Sequence, residues 1–231
     1  KYSGSNVGTG VGLFYEGGTG ANLLNTLNVK LTDTVGTTEG LIGVYTAGGG
    51  KLTNNAKITG DKGYGIISNG AEVENTSDIT LTNPLTASKP SVGILTQAGD
   101  KITNTGTVTV GDNSVGIFGK EIVQKGTITV GNGGTGLYSE GGNVTLDSTS
   151  KINTGANKAV GVFTKGAGQT ITANAGSTMT IGDSSFGFLN EGTGNTINSN
   201  VASQALGNDG TYIYSSDRTG VVNNNTTLTS T

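Results

Sequence analysis

The stretch SVGIFGKEIVQKGTITVGNGGTG, residues 114–136, reads as one complete structural unit. Val115 to Phe118 has the β-branched and aromatic composition of a short strand, and Gly119 turns the chain. Glu121-Ile122-Val123-Gln124 forms a second run, Lys125-Gly126 a second turn, and Thr127-Ile128-Thr129-Val130 a third run. Gly131 to Gly134 then returns the chain to Gly136, which occupies the position that Gly116 held at the start. A strand of four residues buries too little surface to stand alone, so the unit must stack on copies of itself.

The copies are present along the whole chain. The anchor is an apolar residue, a glycine and two large apolar residues: Val11-Gly12-Leu13-Phe14, Ile42-Gly43-Val44-Tyr45, Tyr64-Gly65-Ile66-Ile67, Val92-Gly93-Ile94-Leu95 and Val115-Gly116-Ile117-Phe118. It continues as Thr135-Gly136-Leu137-Tyr138, Val160-Gly161-Val162-Phe163 and Phe186-Gly187-Phe188-Leu189, and ends as Thr211-Tyr212-Ile213-Tyr214, where the glycine is lost. Successive anchors stand 20 to 31 residues apart, with a mean of 25. A period in this range marks a solenoid. The expected fold is all-β: a single parallel β-helix of about nine coils, three short strands per coil, with residues 1–231 forming one segment and no second domain. Stacking at about 4.8 Å per coil gives a shaft of roughly 40 Å. The spacing fits neither a hexapeptide helix, with its multiples of six, nor a propeller blade of about 40 residues.

Alternation assigns directions. The residue after each anchor glycine should face the shaft interior, together with the residue before it. The next residue along forms a candidate stacking ladder whose aromatic members are Phe14, Tyr45, Phe118, Tyr138, Phe163 and Tyr214. Strict alternation points it outward; a bend in the strand would instead tuck the rings under the turn. A second ladder is expected at the turn after the second strand: Asn25, Asn54, Asn75, Asn104, Gln124, Asp147, Asn174 and Asn200. Stacked amides there would hydrogen-bond along the shaft.

Composition bounds the chemistry. Glycine accounts for 42 of 231 residues, and the apolar fraction is 32%, but the apolar residues recur in register, which separates the chain from disordered sequences. With 13 basic and 16 acidic residues and Arg218 as the only arginine, there is no basic stripe and no electrostatic basis for nucleic-acid binding. No apolar run reaches the 18 residues of a membrane-spanning helix. There is no histidine and no cysteine, so the usual general base, thiolate chemistry and most zinc sites are excluded. Gly131 to Gly136 matches G-x-G-x-x-G, but a strand follows it where a dinucleotide site needs a helix. Asp61, Asp112 and Asp183 are the candidates for paired carboxylates, yet they fall two and three coils apart, roughly 10 and 15 Å, too far for glycoside hydrolysis. They are read as turn residues. No catalytic, cofactor-binding or metal-binding residue is assigned, and the chain is not expected to be an enzyme.

The coils SVGIFGKEIVQKGTITVGNGGTGLYSEGGNVTL (114–146) and PSVGILTQAGDKITNTGTVTVGD (90–112) resemble the passenger repeats of type V autotransporters, most of all the large fusobacterial-type outer-membrane adhesins. The resemblance runs from Val7 to about Thr229 and lies in repeat style, with no catalytic motif. It implies a right-handed β-helix displayed on the cell surface, with the membrane attached only through a C-terminal β-barrel outside this chain. The chain begins at Lys1, without a signal peptide, and is read as a middle segment of a larger passenger domain. The implied role is an adhesin shaft or binding surface whose partners are host-cell or bacterial surface proteins or glycans. The alternatives are a self-associating module of aggregates or biofilm and a polysaccharide-acting β-helix enzyme.

Recognition by the shaft itself would fall where coils exceed the minimal length. The two longest intervals place their excess between the third strand and the next first strand, at Asp33 to Gly40 and Asn83 to Pro90. The candidate binding residues are Asp33, Thr37, Thr38 and Glu39 in the first and Asn83, Pro84, Lys89 and Pro90 in the second. The two segments are expected two coils apart, about 10 Å along the axis. Loops on a rigid scaffold are the usual recognition surfaces.

Overall fold

A computed structural model of the chain describes residues 10–33, 40–97 and 100–230. Every regular element in it is a strand, and the strands stack in parallel on three faces. The first coil sets the plan with Val11–Glu16 on face 1, Asn22–Asn25 on face 2 and Val29–Leu31 on face 3. Faces 1 and 2 each carry nine strands. Face 3 carries seven, followed by a two-stranded continuation joined to it through the single bridge from Ile181 to Leu206. The chain is therefore a β-solenoid of the expected period. The core is a column of aliphatic side chains drawn from all three faces: Val44, Ile66, Ile94, Ile117 and Leu137 from the first, Leu52, Val73 and Ile102 from the second, Ile58, Ile79 and Ile128 from the third, almost all fully buried. Each such side chain contributes about 1.5–3 kcal/mol.

The anchor glycine has a steric cause. A Cβ built on any of the eight anchor glycines would lie no more than 2.8 Å from the main-chain carbonyl oxygen of the anchor one coil further on. On its other side it would press into a core side chain of face 3: Val29 at Gly12, Ile58 at Gly43, Ile79 at Gly65, Val108 at Gly93. Both neighbours are fixed, so no side chain fits. Tyr212 stands in the last strand of face 1, where no further strand among the described residues supplies the obstructing carbonyl. Its ring turns into the shaft, 3% exposed, edge-on to Phe188 at 5.5 Å, with its hydroxyl 2.6 Å from Ser199 Oγ.

This crowding corrects the expected direction of the residue before the glycine. The pairing along face 1 skips the glycine, passing from Val92–Val115 to Ile94–Ile117. The strand kinks there, so that the glycine and the residue after it both turn inward, while the residue before it faces outward. Tyr64, Val115, Thr135 and Phe186 are accordingly only half-buried, although Ile42, Val92 and Val160 at the same position stay covered at 6–7% exposure, and the Phe186 ring meets the outward Tyr214 ring at 6.2 Å. Regular alternation resumes after the kink, which settles the two readings of the aromatic ladder: it points outward.

The amide ladder is real over its first five members and not beyond. Asn25, Asn54, Asn75, Asn104 and Gln124 are fully buried and joined Nδ2 to Oδ1 (Oε1 at Gln124) at 2.7, 2.7, 2.8 and 3.0 Å. Asn54, Asn75 and Asn104 spend their second N–H on the carbonyls of Ala56, Ser77 and Gly106 in their own turns. The next rungs in register are Leu146, Ala173 and Ser199, so Asp147, Asn174 and Asn200 sit one residue further on, in the turn. The expectation followed residue type across that step, whereas the register follows the inward-facing residues. The ladder ends abruptly, and Gln124 Nε2, next to Leu146, has no hydrogen-bond partner among the described residues.

Gly136→Ala is expected to lower stability by about 1–3 kcal/mol through overpacking, measured by chemical denaturation, while Gly18→Ala, where a Cβ meets nothing within 4 Å, stays within about 0.5 kcal/mol of wild type. Within the amide ladder, Asn75→Leu strands a buried donor and a buried acceptor and should cost about 2–4 kcal/mol. Gln124→Leu strands the Asn104 donor alone and removes a donor that already lacks a partner, so the same titration should find it the milder change.

Candidate functional site

The second long corner reaches Gly40, the last residue of the first. Asn83 to Pro90 forms a compact hairpin: Thr86 and Lys89 exchange main-chain hydrogen bonds at 3.1 and 3.3 Å, and the Thr86 hydroxyl accepts from the N–H groups of Ser88 and Lys89. Ala87, Ser88 and Lys89 are exposed at its tip, while Pro84 and Pro90 are half-buried at its base. Leu85 is the anchor. It is 5% exposed and lies directly over Gly40, so closely that a Cβ at Gly40 would collide with its side chain. The hairpin thus folds back along the shaft past Gly63 onto the corner that begins at Asp33. The two corners precede β-strands that are two coils apart, as expected, with the coil of Gly63 between them, and the Leu85 side chain spans that interval because glycine leaves room for it at position 40.

Polar contacts fix the base of the same corner. Asp61 accepts from the Thr82 hydroxyl at 3.0 Å and from Asn83 Nδ2, and Asn83 N–H donates to the Asp61 carbonyl at 2.7 Å. The Ser91 hydroxyl donates to the Asn83 carbonyl at 2.6 Å and accepts from Gly63 N–H at 3.0 Å. Asp33, with a side chain 5% exposed, pairs with Lys62 at 3.2 Å. The candidate residues Asp33, Asn83, Pro84, Lys89 and Pro90 therefore belong to one corner patch, whereas Thr37, Thr38 and Glu39 lie outside the described residues.

The aromatic ladder is a separate surface on face 1. In register it runs Phe14, Tyr45, Ile67, Leu95, Phe118, Tyr138, Phe163, Leu189, Tyr214. The rings cover one another: Phe14 stacks on Tyr45 at 5.6 Å, Phe118 on Tyr138 at 4.6 Å, and Tyr138 meets Phe163 at 4.7 Å. Stacking hides their faces from water and leaves their edges in it. Only the two end members, Phe14 at 59% and Tyr214 at 49%, are strongly exposed. Burial in the stack, with the nearby carboxylates of Glu140 and Glu191 adding to it, pushes the Tyr138 phenol above its ordinary pKa. The sequence reading missed two columns of this face, the residues just before the glycine and those four after it. Their signal was present as constant offsets from the anchor.

The three aspartates considered for catalysis stay apart and are engaged in turns. Asp112 Oδ1 accepts from Asn132 N–H and Asp183 Oδ1 from Asn208 N–H, each at 2.8 Å, so both cap the turn of the following coil as Asp61 does. No family model matches the chain, and no match is found among curated proteins or solved structures.

Leu85→Ala should unpin the hairpin: amide hydrogen exchange at Thr86 and Lys89 is expected to accelerate to the rate of an open loop, with the amides of residues 115–130 unchanged.

Proposed function

We propose that the chain is a surface-displayed shaft of an autotransporter-type adhesin, and that the corner patch around the 83–90 hairpin is its contact with a host-cell or bacterial surface protein or glycan. The observation that carries the reading is the 83–90 hairpin held down by Leu85 over Gly40, the last residue of the first long segment. A spacer needs no such feature; a recognition surface needs a projecting segment whose conformation is fixed before the partner arrives, because that lowers the ordering cost of binding. The exported, outer-membrane setting rests on the resemblance of the coils at 90–146 to autotransporter passengers. A second reading, self-association of shafts, is favoured by a different observation, the outward apolar ladder of face 1. A polysaccharide-cleaving role would require a paired-carboxylate groove, and Asp61, Asp112 and Asp183 are each held as turn acceptors in separate coils.

The test replaces the tip while keeping its anchor. A variant with Ala87→Asp, Ser88→Asp and Lys89→Glu retains Leu85 and both prolines. It is expected to lose adhesion to cell and bacterial surfaces in a bead-binding assay while its circular dichroism and melting curve match wild type. Adhesion that persists in the folded variant would return the segment to the role of a spacer.

A further inference from the structure

Face 1 presents three columns on its outer side, the one before the glycine partly covered at Ile42, Val92 and Val160. The residues before the anchor glycine and those two after it are apolar or aromatic, apart from Thr135 and Thr211, and carry no charge over nine coils. The third column stands four residues after each anchor. Its middle members are Lys120, Glu140, Lys165 and Glu191, in coils five to eight, and their signs alternate. Glu140 and Lys165 are paired in register, while Lys120 and Glu191 each follow residues paired with the same rungs, Gly119 with Ser139 and Asn190 with Thr164. All four are exposed, and none joins an ion pair of the described residues, although lysines and carboxylates on other faces do so at Lys51–Glu74, Lys57–Asp78 and Lys101–Glu121.

We propose that face 1 packs against face 1 of a second copy of the chain, with the two shafts antiparallel and a two-fold axis between coils six and seven. This rests on the self-association reading and gives it an address. Rotation about that axis keeps each column opposite itself while reversing the order of coils. Lys120 then faces Glu191 of the other copy, Glu140 faces Lys165, and the symmetry repeats both pairs. At the ends of the overlap the neutral Gln97 meets the neutral Ser216. Along the ridge, Tyr138 opposes Phe163, Phe118 opposes Leu189 and Leu95 opposes Tyr214. A shift of the axis by half a coil interval, onto coil six, would set Lys120 against Lys165 and Glu140 against itself, so like charges exclude that register. An isologous contact of this kind closes after two copies and does not propagate along the shaft.

The area sets the strength. Six overlapping coils at about 4.8 Å and three columns spread over five residue steps of about 3.3 Å cover roughly 29 by 17 Å, near 500 Å² per partner and about 1,000 Å² in all. That is below the standard size of a stable interface and belongs with weak, reversible encounters. Such a contact becomes effective where many shafts stand on facing surfaces and the encounters add.

The closing experiment uses sedimentation of the purified chain over a concentration series, with two surface variants. Lys120→Glu with Lys165→Glu makes the column wholly acidic, and Glu140→Lys with Glu191→Lys makes it wholly basic. Wild type is expected to dimerise weakly, each variant alone to associate at least about tenfold more weakly, and an equimolar mixture of the two to recover wild-type association or better. If a swap perturbs the circular dichroism spectrum, the neutral pair Lys120→Gln and Lys165→Gln reads the same loss on a folded chain. Since the chain has no cysteine, mixing Lys120→Cys with Glu191→Cys should give a disulfide-linked pair that Lys120→Cys alone does not give. A wild type that remains monomeric at every concentration overturns both this arrangement and the self-association reading. Association indifferent to the swaps, or a mixture that fails to recover it, overturns this arrangement alone and leaves self-association through another surface.

Discussion

Successive coils approach one another most closely at the anchor glycine, and the other regularities of the shaft follow from that approach. The carbonyl of the next coil and a branched core side chain of face 3 together occupy the space of a Cβ. A chain that passes such a point must kink, and the kink sends two consecutive residues inward. Alternation then restarts half a period out of step, so that the large residue two after the glycine is forced outward at every coil. The aromatic ridge is therefore a consequence of core packing at the glycine. Its rings reduce the cost of facing water by stacking on the rings above and below, which the coil spacing permits because it is close to the separation of offset aromatic pairs.

The interior divides into an apolar column and a polar edge. Where five amides stack, the first four both donate and accept and Gln124 accepts, so every coil depends on the next. Below Gln124 the same corner is filled by Leu146 and Ala173, which ask for no partner. The shaft is thus joined at this corner by directional side-chain bonds in its first half and by packing at Leu146 and Ala173, until Ser199 resumes hydrogen bonding to Tyr212 and Thr226. The price is the single buried N–H of Gln124 at the junction.

Much of this was legible in the sequence because the repeat is anchored by a residue type with one steric cause. Gly12 to Gly187 mark the coils without ambiguity, and the strands could be counted from them. What escaped was whatever depends on register within a coil. Asp147, Asn174 and Asn200 resemble the ladder residues chemically, but a one-residue displacement at Leu146 removes them from it, and residue type alone does not report which neighbour faces inward. The kink defeated period-two reasoning at Val115 and its equivalents for the same cause. The candidate loops were found as excess length, yet their meeting was not, because nothing in the order of residues says that Leu85 turns back toward Gly40 rather than out into water.

Tyr212 has an implication for how such a shaft can lengthen. A duplicated 25-residue unit inserted between any two coils that carry the anchor glycine meets the geometry it came from, so the interior is open to growth by repetition. A unit placed directly after the ninth coil would set its first carbonyl against the Cβ of Tyr212, and the ring that fills the core there would have to leave. Repetition of the unit is in this way easiest before residue 212, where each anchor glycine leaves room for the carbonyl of the next coil.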